Sequence, residues 1–264
     1  MGQTTDYVDS YTPSLLFPIA RAEARAQLES QSAVFVGEDV WTGYEFSWLD
    51  LQGKPHVSGL RLRVAAASPA IVESKSMKLY LASFAQTKFE TQSEVLNTLD
   101  QDLSLAFRAP VQVELLTLAQ MSQVVPQMPG RCLDELDVAF LKYEPHPDYL
   151  AVAASQTEVH ESLHTHLFRS VCPVTGQPDW ASIAIDYRGL ALDDVGLLRY
   201  LVSYRAHAGF HEAVIEQIFC DIVERCAPQS LSVYGRFQRR GGLDINPFRS
   251  THEASAPLYR LARQ

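Results

Sequence analysis

The sequence predicts an α+β fold made of two related modules. Three observations point there: β-rich segments occur in groups, amphipathic helical stretches follow them in pairs, and an internal repeat spans about half of the chain. The repeat aligns Lys78-Leu79-Tyr80-Leu81-Ala82-Ser83-Phe84 with Leu198-Arg199-Tyr200-Leu201-Val202-Ser203-Tyr204, an offset of 120. Phe89 then pairs with Phe210, and the strand after Ala109-Pro110 pairs with the one after Ala227-Pro228. A period this long exceeds those of solenoid repeats and reads as two copies of a small α+β unit.

In chain order, residues 32–36 and 56–66 read as strands bounded by turn formers. Residues 76–84 and 93–107 place apolar side chains at i, i+3, i+4 and predict a helix pair. Residues 111–116, after Pro110, predict a strand. Residues 118–150 contain Pro126, Pro129, Pro145 and Pro147, the composition of a connector, which sets the expected modules at 1–145 and 146–264. In the second half, 158–171 and 180–187 read as strands, 193–207 and 211–226 as helices, and 231–239 as a closing strand.

The 264 residues are 47% hydrophobic and 20% charged, a globular composition that excludes disordered and collagenous readings. The net charge of -9 argues against a general binder of phosphate backbones, so no nucleic acid partner is expected. No apolar run approaches the roughly 20 residues that span a bilayer, and residues 1–14 are polar; a cytoplasmic protein without membrane contact is expected. Cys132, Cys172, Cys220 and Cys226 form no Cys-x-x-Cys pair and are too sparse for a disulfide framework, so reduced thiols are expected.

Cys172 stands where a strand gives way to a loop with two prolines and a glycine, a place where a thiol is held and reachable; Cys220 and Cys226 lie in a helix and read as core. Asp179, seven residues on, is a candidate proton partner, with an Asx turn or cap as the alternative. Phe210-His211-Glu212 opens the last long helix. There Glu212 is either a helix-dipole partner or the acceptor of two N–H groups from a guanine-like edge.

Glu73-Ser74-Lys75-Ser76 joins an apolar run to a helix, where hydroxyls and a lysine could meet phosphate; Ser74 or Ser76 as a plain N-cap is the alternative. Arg239-Arg240-Gly241-Gly242 combines fixed charges with close backbone approach, either a grip on phosphate or a hairpin end with solvated arginines.

His160-Glu161-Ser162-Leu163-His164 satisfies the zinc-hydrolase pattern, but that chemistry needs a helix. The alternation of Val159, Glu161, Leu163 and Thr165 with His160, Ser162 and His164 predicts a strand, which sets the two histidines about 13 Å apart. No metal is expected. Neither Gly-x-Gly-x-x-Gly after a strand nor Gly-x-x-x-x-Gly-Lys-Ser/Thr occurs, so a nucleotide would need another kind of site.

Taken together, Glu73-Ser74-Lys75-Ser76-Met77-Lys78-Leu79-Tyr80, the stretch from Cys172 to Asp179-Trp180, Phe210-His211-Glu212 and Arg239-Arg240-Gly241-Gly242-Leu243-Asp244-Ile245-Asn246-Pro247 resemble the QueF family of NADPH-dependent 7-cyano-7-deazaguanine reductases of queuosine biosynthesis. The resemblance covers nearly the whole chain, from Thr4-Thr5-Asp6-Tyr7 to Arg260-Leu261-Ala262-Arg263-Gln264, and is to the longer, two-module type. It implies tandem tunnelling-fold modules, each a four-stranded antiparallel sheet with two helices on one face, and a homodimer. It further implies that Cys172 adds to the substrate nitrile as a covalent thioimide, that Asp179 donates a proton, and that His211 assists. Glu212 would hold the deazaguanine edge, with Val72, Glu73, Ser74 and His211 completing substrate binding, while Ser74, Lys75, Arg240 and Gly241 would contact NADPH. Because the motifs are divided between halves, the site is expected at a module boundary. The alternatives are a zinc-dependent pterin or purine hydrolase of the same fold, and a non-catalytic purine-binding protein.

Overall fold

The computed structural model describes residues 8, 10–26, 28, 34–122, 127–140 and 142–264. Thr4 to Tyr7, the start of the strand expected at 32–36, and Pro126 lie outside them. The elements in chain order are β1 (Pro18–Ala20), α1 (Arg21–Arg25), β2 (Val36–Leu49), β3 (Pro55–Ala65), β4 (Ala70–Val72), α2 (Ser74–Ala82), α3 (Gln92–Phe107), β5 (Val111–Leu116), α4 (Leu118–Met121), β6 (Arg131–Cys132), β7 (Glu158–Thr165), β8 (Arg169–Val171), β9 (Pro178–Leu190), α5 (Asp194–Ser203), α6 (His211–Cys226), β10 (Ser230–Phe237) and β11 (Leu243–Ser250). The class is mixed α+β, as the sequence predicts. No helix among the described residues is long and apolar enough to cross a membrane.

The chain folds as two compact units, each drawn from three segments. The first comprises Met1–Ala22, Val40–Gln123 and Arg239–Asp244. In it β3 lies between β2 and β5, antiparallel to β5 from Gly59↔Leu116 to Val64↔Val111. The helices α2 and α3 bury Met77, Tyr80, Val95, Leu99 and Leu103, and Phe107 meets Trp41 of β2 edge-on at 6.1 Å. A short pairing of β1 with β4 sets Pro18 opposite Val72 and delivers the chain into α2.

The second unit comprises Glu23–Asp39, Val124–Gln238 and Ile245–Gln264. Its sheet runs β11-β10-β9-β7, antiparallel throughout, with β6 added outside β7 in parallel and β8 paired to the start of β9. Leu197 and Leu201 of α5, Ile215 and Phe219 of α6, and Ile183 and Val233 of the sheet form its core.

The internal repeat reappears as repeated contacts. In the first unit Tyr80 Oη donates to Asp102 Oδ2 at 2.7 Å, and in the second Tyr200 Oη donates to Asp221 Oδ2 at 2.5 Å. Ser83 Oγ bonds the Tyr80 carbonyl and Ser203 Oγ the Tyr200 carbonyl, each at 2.6 Å. The long helices α3 and α6 both end on a left-handed residue, Arg108 and Ala227.

Two expectations are corrected, and one strand stands where none was expected. The strand placed at 32–36 starts only at Val36 and runs to Leu49; its pattern is hidden because Glu38 and Asp39 are buried, Glu38 accepting from the Ala256 N–H and Asp39 paired with Arg249 at 2.8 Å. The strand β11 carries Pro247 and the buried Asp244, Asn246 and Arg249, which mask it; its ladder with β10 covers only residues 248–250, past the proline. The single strand expected over 158–171 is two, because the Asp134 carboxylate takes the His166 N–H and the Thr165 hydroxyl takes that of Leu167, removing both from a ladder.

Candidate active site

In the second unit, β8 and β9 bring two of the expected residues together. Ser170 lies opposite Asp179 and Val171 opposite Pro178, so Cys172, two residues past Ser170, continues the face that carries Asp179. That diagonal spans roughly 7–8 Å. The loop between them closes on itself: the Cys172 N–H donates to the Gln177 carbonyl at 2.9 Å and the Gly176 N–H to the Cys172 carbonyl at 3.0 Å. The Cys172 thiol is buried behind an exposed turn.

The other edge of β8 is held by the segment entering α6. Val171 donates to the His207 carbonyl at 2.8 Å and accepts from Gly209 at 3.1 Å, which sets the first turn of α6 beside the cysteine strand. His211 Nε2 then stands 3.3 Å from Asp179 Oδ2. The approach is close but misaligned for a hydrogen bond, and neither ring nitrogen of His211 has such a bond within the described residues. The imidazole is 7% exposed and lies flat on Phe237, with ring centroids 3.8 Å apart and planes 5° from parallel. A ring fixed by stacking, with neither nitrogen hydrogen-bonded within the described residues, can receive or deliver a proton at a ligand. Glu212 follows, 3% exposed, in a first turn whose N-cap, Phe210, offers no side-chain bond.

In the first unit a second group forms around α2. Glu73, rather than Ser74 or Ser76, is the N-cap: its carboxylate accepts from the N–H groups of Lys75 at 2.9 Å and Ser76 at 2.7 Å. Ser76 is instead used inward, its Oγ donating to the Glu73 carbonyl and accepting from the Phe17 N–H. That leaves Ser74 and the exposed Lys75 at the open end of the helix, and Val72 buried in β4 just before it.

The turn from Arg239 to Leu243 belongs to the same unit and is tightened by bonds between Arg240 and Leu243. Gly241 has φ +63° and Gly242 φ +88°. A Cβ on Gly241 would lie 2.9 Å from Lys78 Cδ and 3.1 Å from its Nζ, so the turn is seated against the lysine one turn after Lys75. Arg239 stacks over the Tyr44 ring at 4.5 Å. A glycine turn beside Lys78, with Lys75 and Arg240 at hand, suits a polyanionic ligand.

A family model described as nitrile reductase, 7-cyano-7-deazaguanine-reductase N-term, matches residues 7–115, and one described as QueF-like protein matches residues 178–256. Proteins named NADPH-dependent 7-cyano-7-deazaguanine reductase are similar over the full chain. The one from Burkholderia vietnamiensis is 49% identical, covering 100% of this chain and 97% of its own length. Those from Desulfotalea psychrophila and Hydrogenovibrio crunogenus are 47% and 46% identical, covering 100% of this chain and 96% of theirs. The chain belongs to the family of 7-cyano-7-deazaguanine reductases.

Within this reductase-family chain, Val72, Glu73, Ser74 and Lys75 fall in the first match, and Asp179, His211, Glu212, Arg240 and Gly241 in the second. Cys172 lies between the two, just ahead of residue 178. The structure gathers Cys172, Asp179, His211 and Glu212 in the second unit, and Val72 to Lys75 with Arg240 and Gly241 in the first. Two residues in contact with these groups had no role in the sequence reading. Lys78 stands in the Glu73-to-Tyr80 stretch, i+3 from Lys75, but was given no role there, and Phe237 was signalled by nothing local, since its stacking on His211 joins β10 to α6.

Proposed function

We propose that this chain reduces the nitrile 7-cyano-7-deazaguanine to the primary amine 7-aminomethyl-7-deazaguanine at the expense of NADPH, a step toward queuosine in tRNA. The observation that carries the reading is the buried His211–Asp179 contact beside the Cys172 loop, in a chain about half identical to reductases of that name.

In this reading Cys172 Sγ forms a bond to the nitrile carbon as the nitrile nitrogen takes a proton, giving a thioimide whose C=N is more electrophilic than the nitrile. Asp179 moves that proton, and His211 is placed at 3.3 Å to share or replenish it. NADPH, when bound, supplies the two hydrides that the overall change requires. Between them the carbon–sulfur bond breaks and Cys172 leaves as thiolate, so the sulfur is recovered. Glu212 accepts two N–H groups of the deazaguanine edge in a bidentate arrangement, with Val72, Glu73, Ser74 and His211 completing the grip. The carboxylate of Glu73 caps α2 and keeps lone pairs for a ligand. Ser74, Lys75, Arg240 and Gly241 hold the dinucleotide, and Lys78 joins them through its contact with the Gly241 turn.

The Tyr80–Asp102 and Tyr200–Asp221 pairs support reading the chain as tandem tunnelling-fold modules, divided in sequence at 1–145 and 146–264. A homodimer in the cytoplasm is the state we assign to it. NADPH oxidation followed with the nitrile, together with intact mass, tests the whole. Two NADPH oxidised per amine and a covalent adduct, both lost in Cys172→Ala, are expected. A folded wild type that binds the nitrile without consuming NADPH would return the purine-binding reading.

A further inference from the structure

A second cluster of chemically capable side chains lies in the same unit, outside both family matches, and includes none of Cys172, Asp179, His211 or Glu212. The ligand atoms of Cys132, His164 and His166 all lie within 4.8 Å of one another. The grouping is built by the parallel pairing of β6 with β7, which sets Cys132 opposite His164, and it is sealed by the Leu133 N–H donating to the His164 carbonyl at 2.9 Å. Gly130 lets the incoming segment approach β7 closely, since a Cβ there would overlap the Ser162 carbonyl.

Both imidazoles are oriented from behind. His164 Nδ1 lies 3.1 Å from the Pro129 carbonyl, which can only accept, so Nδ1 carries the proton and Nε2 the free lone pair. His166 Nδ1 is engaged by Ser182 Oγ at 2.7 Å, a hydroxyl that can accept from it, and in that tautomer Nε2 is left to the cluster. Asp134 fixes the backbone between them, accepting from Thr165 Oγ1 at 2.6 Å and from the His166 N–H at 3.1 Å. This is the outer arrangement that metal-bound histidines use: one nitrogen held by a carbonyl or hydroxyl, the other presented. Cys132 is a free thiol at the exposed side.

We propose that Cys132, His164 and His166 form a zinc site, with solvent at the fourth position. A thiolate and two imidazoles suit Zn(II), and tetrahedral bonds of about 2.3 Å to sulfur and 2.0–2.1 Å to nitrogen require donors roughly 3.3–3.7 Å apart, a closure of at most about 1.5 Å from the 4.8 Å within which they lie. Binding replaces the Cys132 thiol proton, which leaves to solvent, and changes no oxidation state. The ion would clamp the segment carrying β6 onto β7. His160 takes no part: it faces Asp186 at 3.2 Å, so the site shares only His164 with the His-Glu-x-x-His pattern rejected from the sequence, and it departs from the expectation of no metal.

The test uses the full chain, stripped by chelation under reducing conditions and titrated first with Co(II), then with Zn(II). One Co(II) per chain with a thiolate-to-cobalt charge-transfer band in the near ultraviolet, displaced by one Zn(II), is expected, and zinc should raise the thermal midpoint by mass action. Cys132→Ser, at an exposed position, should abolish both the band and the zinc-induced shift; His166→Gln should weaken zinc binding at least tenfold; Cys172→Ala should keep the band. A wild type without the band, a band that survives Cys132→Ser, or one that disappears in Cys172→Ala would each overturn the proposal, the last assigning the metal to the other thiol.

Discussion

Tyr200 donates its hydroxyl to Asp221 at 2.5 Å, tying α5 to α6 inside the core of the second unit. The tyrosine is fully enclosed, and its hydroxyl also meets that of Tyr204 at 2.9 Å. Burial first, then the Tyr204 and Asp221 charges, push the phenol well above its ordinary 10.0; burial and Asp102 do the same to Tyr80 in the first unit. The unfolded chain releases these protons near pH 10 while the native chain keeps them, so their contribution is whole below that pH and is lost as pH rises beyond it. Tyr200→Phe is expected to cost about 1–3 kcal/mol near neutrality, since Asp221 loses a buried donor. The double variant Tyr80→Phe/Tyr200→Phe should show a shallower alkaline loss than wild type. Denaturant midpoints measured across that range check both; equal alkaline slopes would remove the two phenols from the account.

Asp179 and His211 form a buried acid–imidazole contact on the Cys172 strand pair. For Asp179→Asn the fold is expected to persist, because the amide has the same shape, and nitrile binding should remain. Turnover should fall by about 10² to 10⁴, the usual worth of a positioned proton carrier. Single-turnover NADPH oxidation with separately measured nitrile affinity distinguishes the two effects, and an unchanged rate would take Asp179 out of the reaction.

Glu73 caps α2, and different substitutions separate that role from the proposed hold on substrate. Serine is a good N-cap and alanine is not, so Glu73→Ala should lower stability by about 0.5–2 kcal/mol while Glu73→Ser leaves it close to wild type. Both lose the carboxylate proposed to meet substrate, so both should raise the KM for the nitrile. Thermal melts and nitrile KM for the pair decide: a Glu73→Ser enzyme with wild-type KM would leave Glu73 as a cap alone.

What the sequence disclosed and what it hid follow from the range of the interactions. The helices α2, α3, α5 and α6 were legible because their buried residues recur at helical spacing within a dozen positions. The strands β2 and β11 were not, because Glu38, Asp39, Asp244 and Arg249 are buried charges whose partners lie far along the chain, Arg249 bonding Asp39 and Glu216 at 2.8 Å each. Cys172 and Asp179 could be read together since one short loop joins them, whereas Phe237 under His211 and Cys132 beside His164 depend on pairings between distant segments that no local pattern encodes.

The Gly241 turn is seated against Lys78, the lysine proposed to hold the dinucleotide, so a single methyl tests the proposed cofactor grip. At φ +63° an alanine costs roughly 1–2 kcal/mol, and its Cβ would press on Lys78 Cδ at 2.9 Å. The side chain can swing aside, so the stability loss should stay near the backbone cost, a fall in Tm of about 2–4 °C per kcal/mol in a chain of this size. The swing would carry the Lys78 ammonium away from where it stands beside the turn. Gly241→Ala and Lys78→Ala should therefore each raise the KM for NADPH several-fold while kcat at saturation is little changed, because a charge that only holds the dinucleotide contributes equally to ground and transition states. NADH, which lacks the 2′-phosphate, should be affected less if these charges face that group. Steady-state kinetics with both dinucleotides measures it: equal rises for NADPH and NADH would move Lys78 and Gly241 to the shared pyrophosphate, and no rise for either would remove them from the cofactor site.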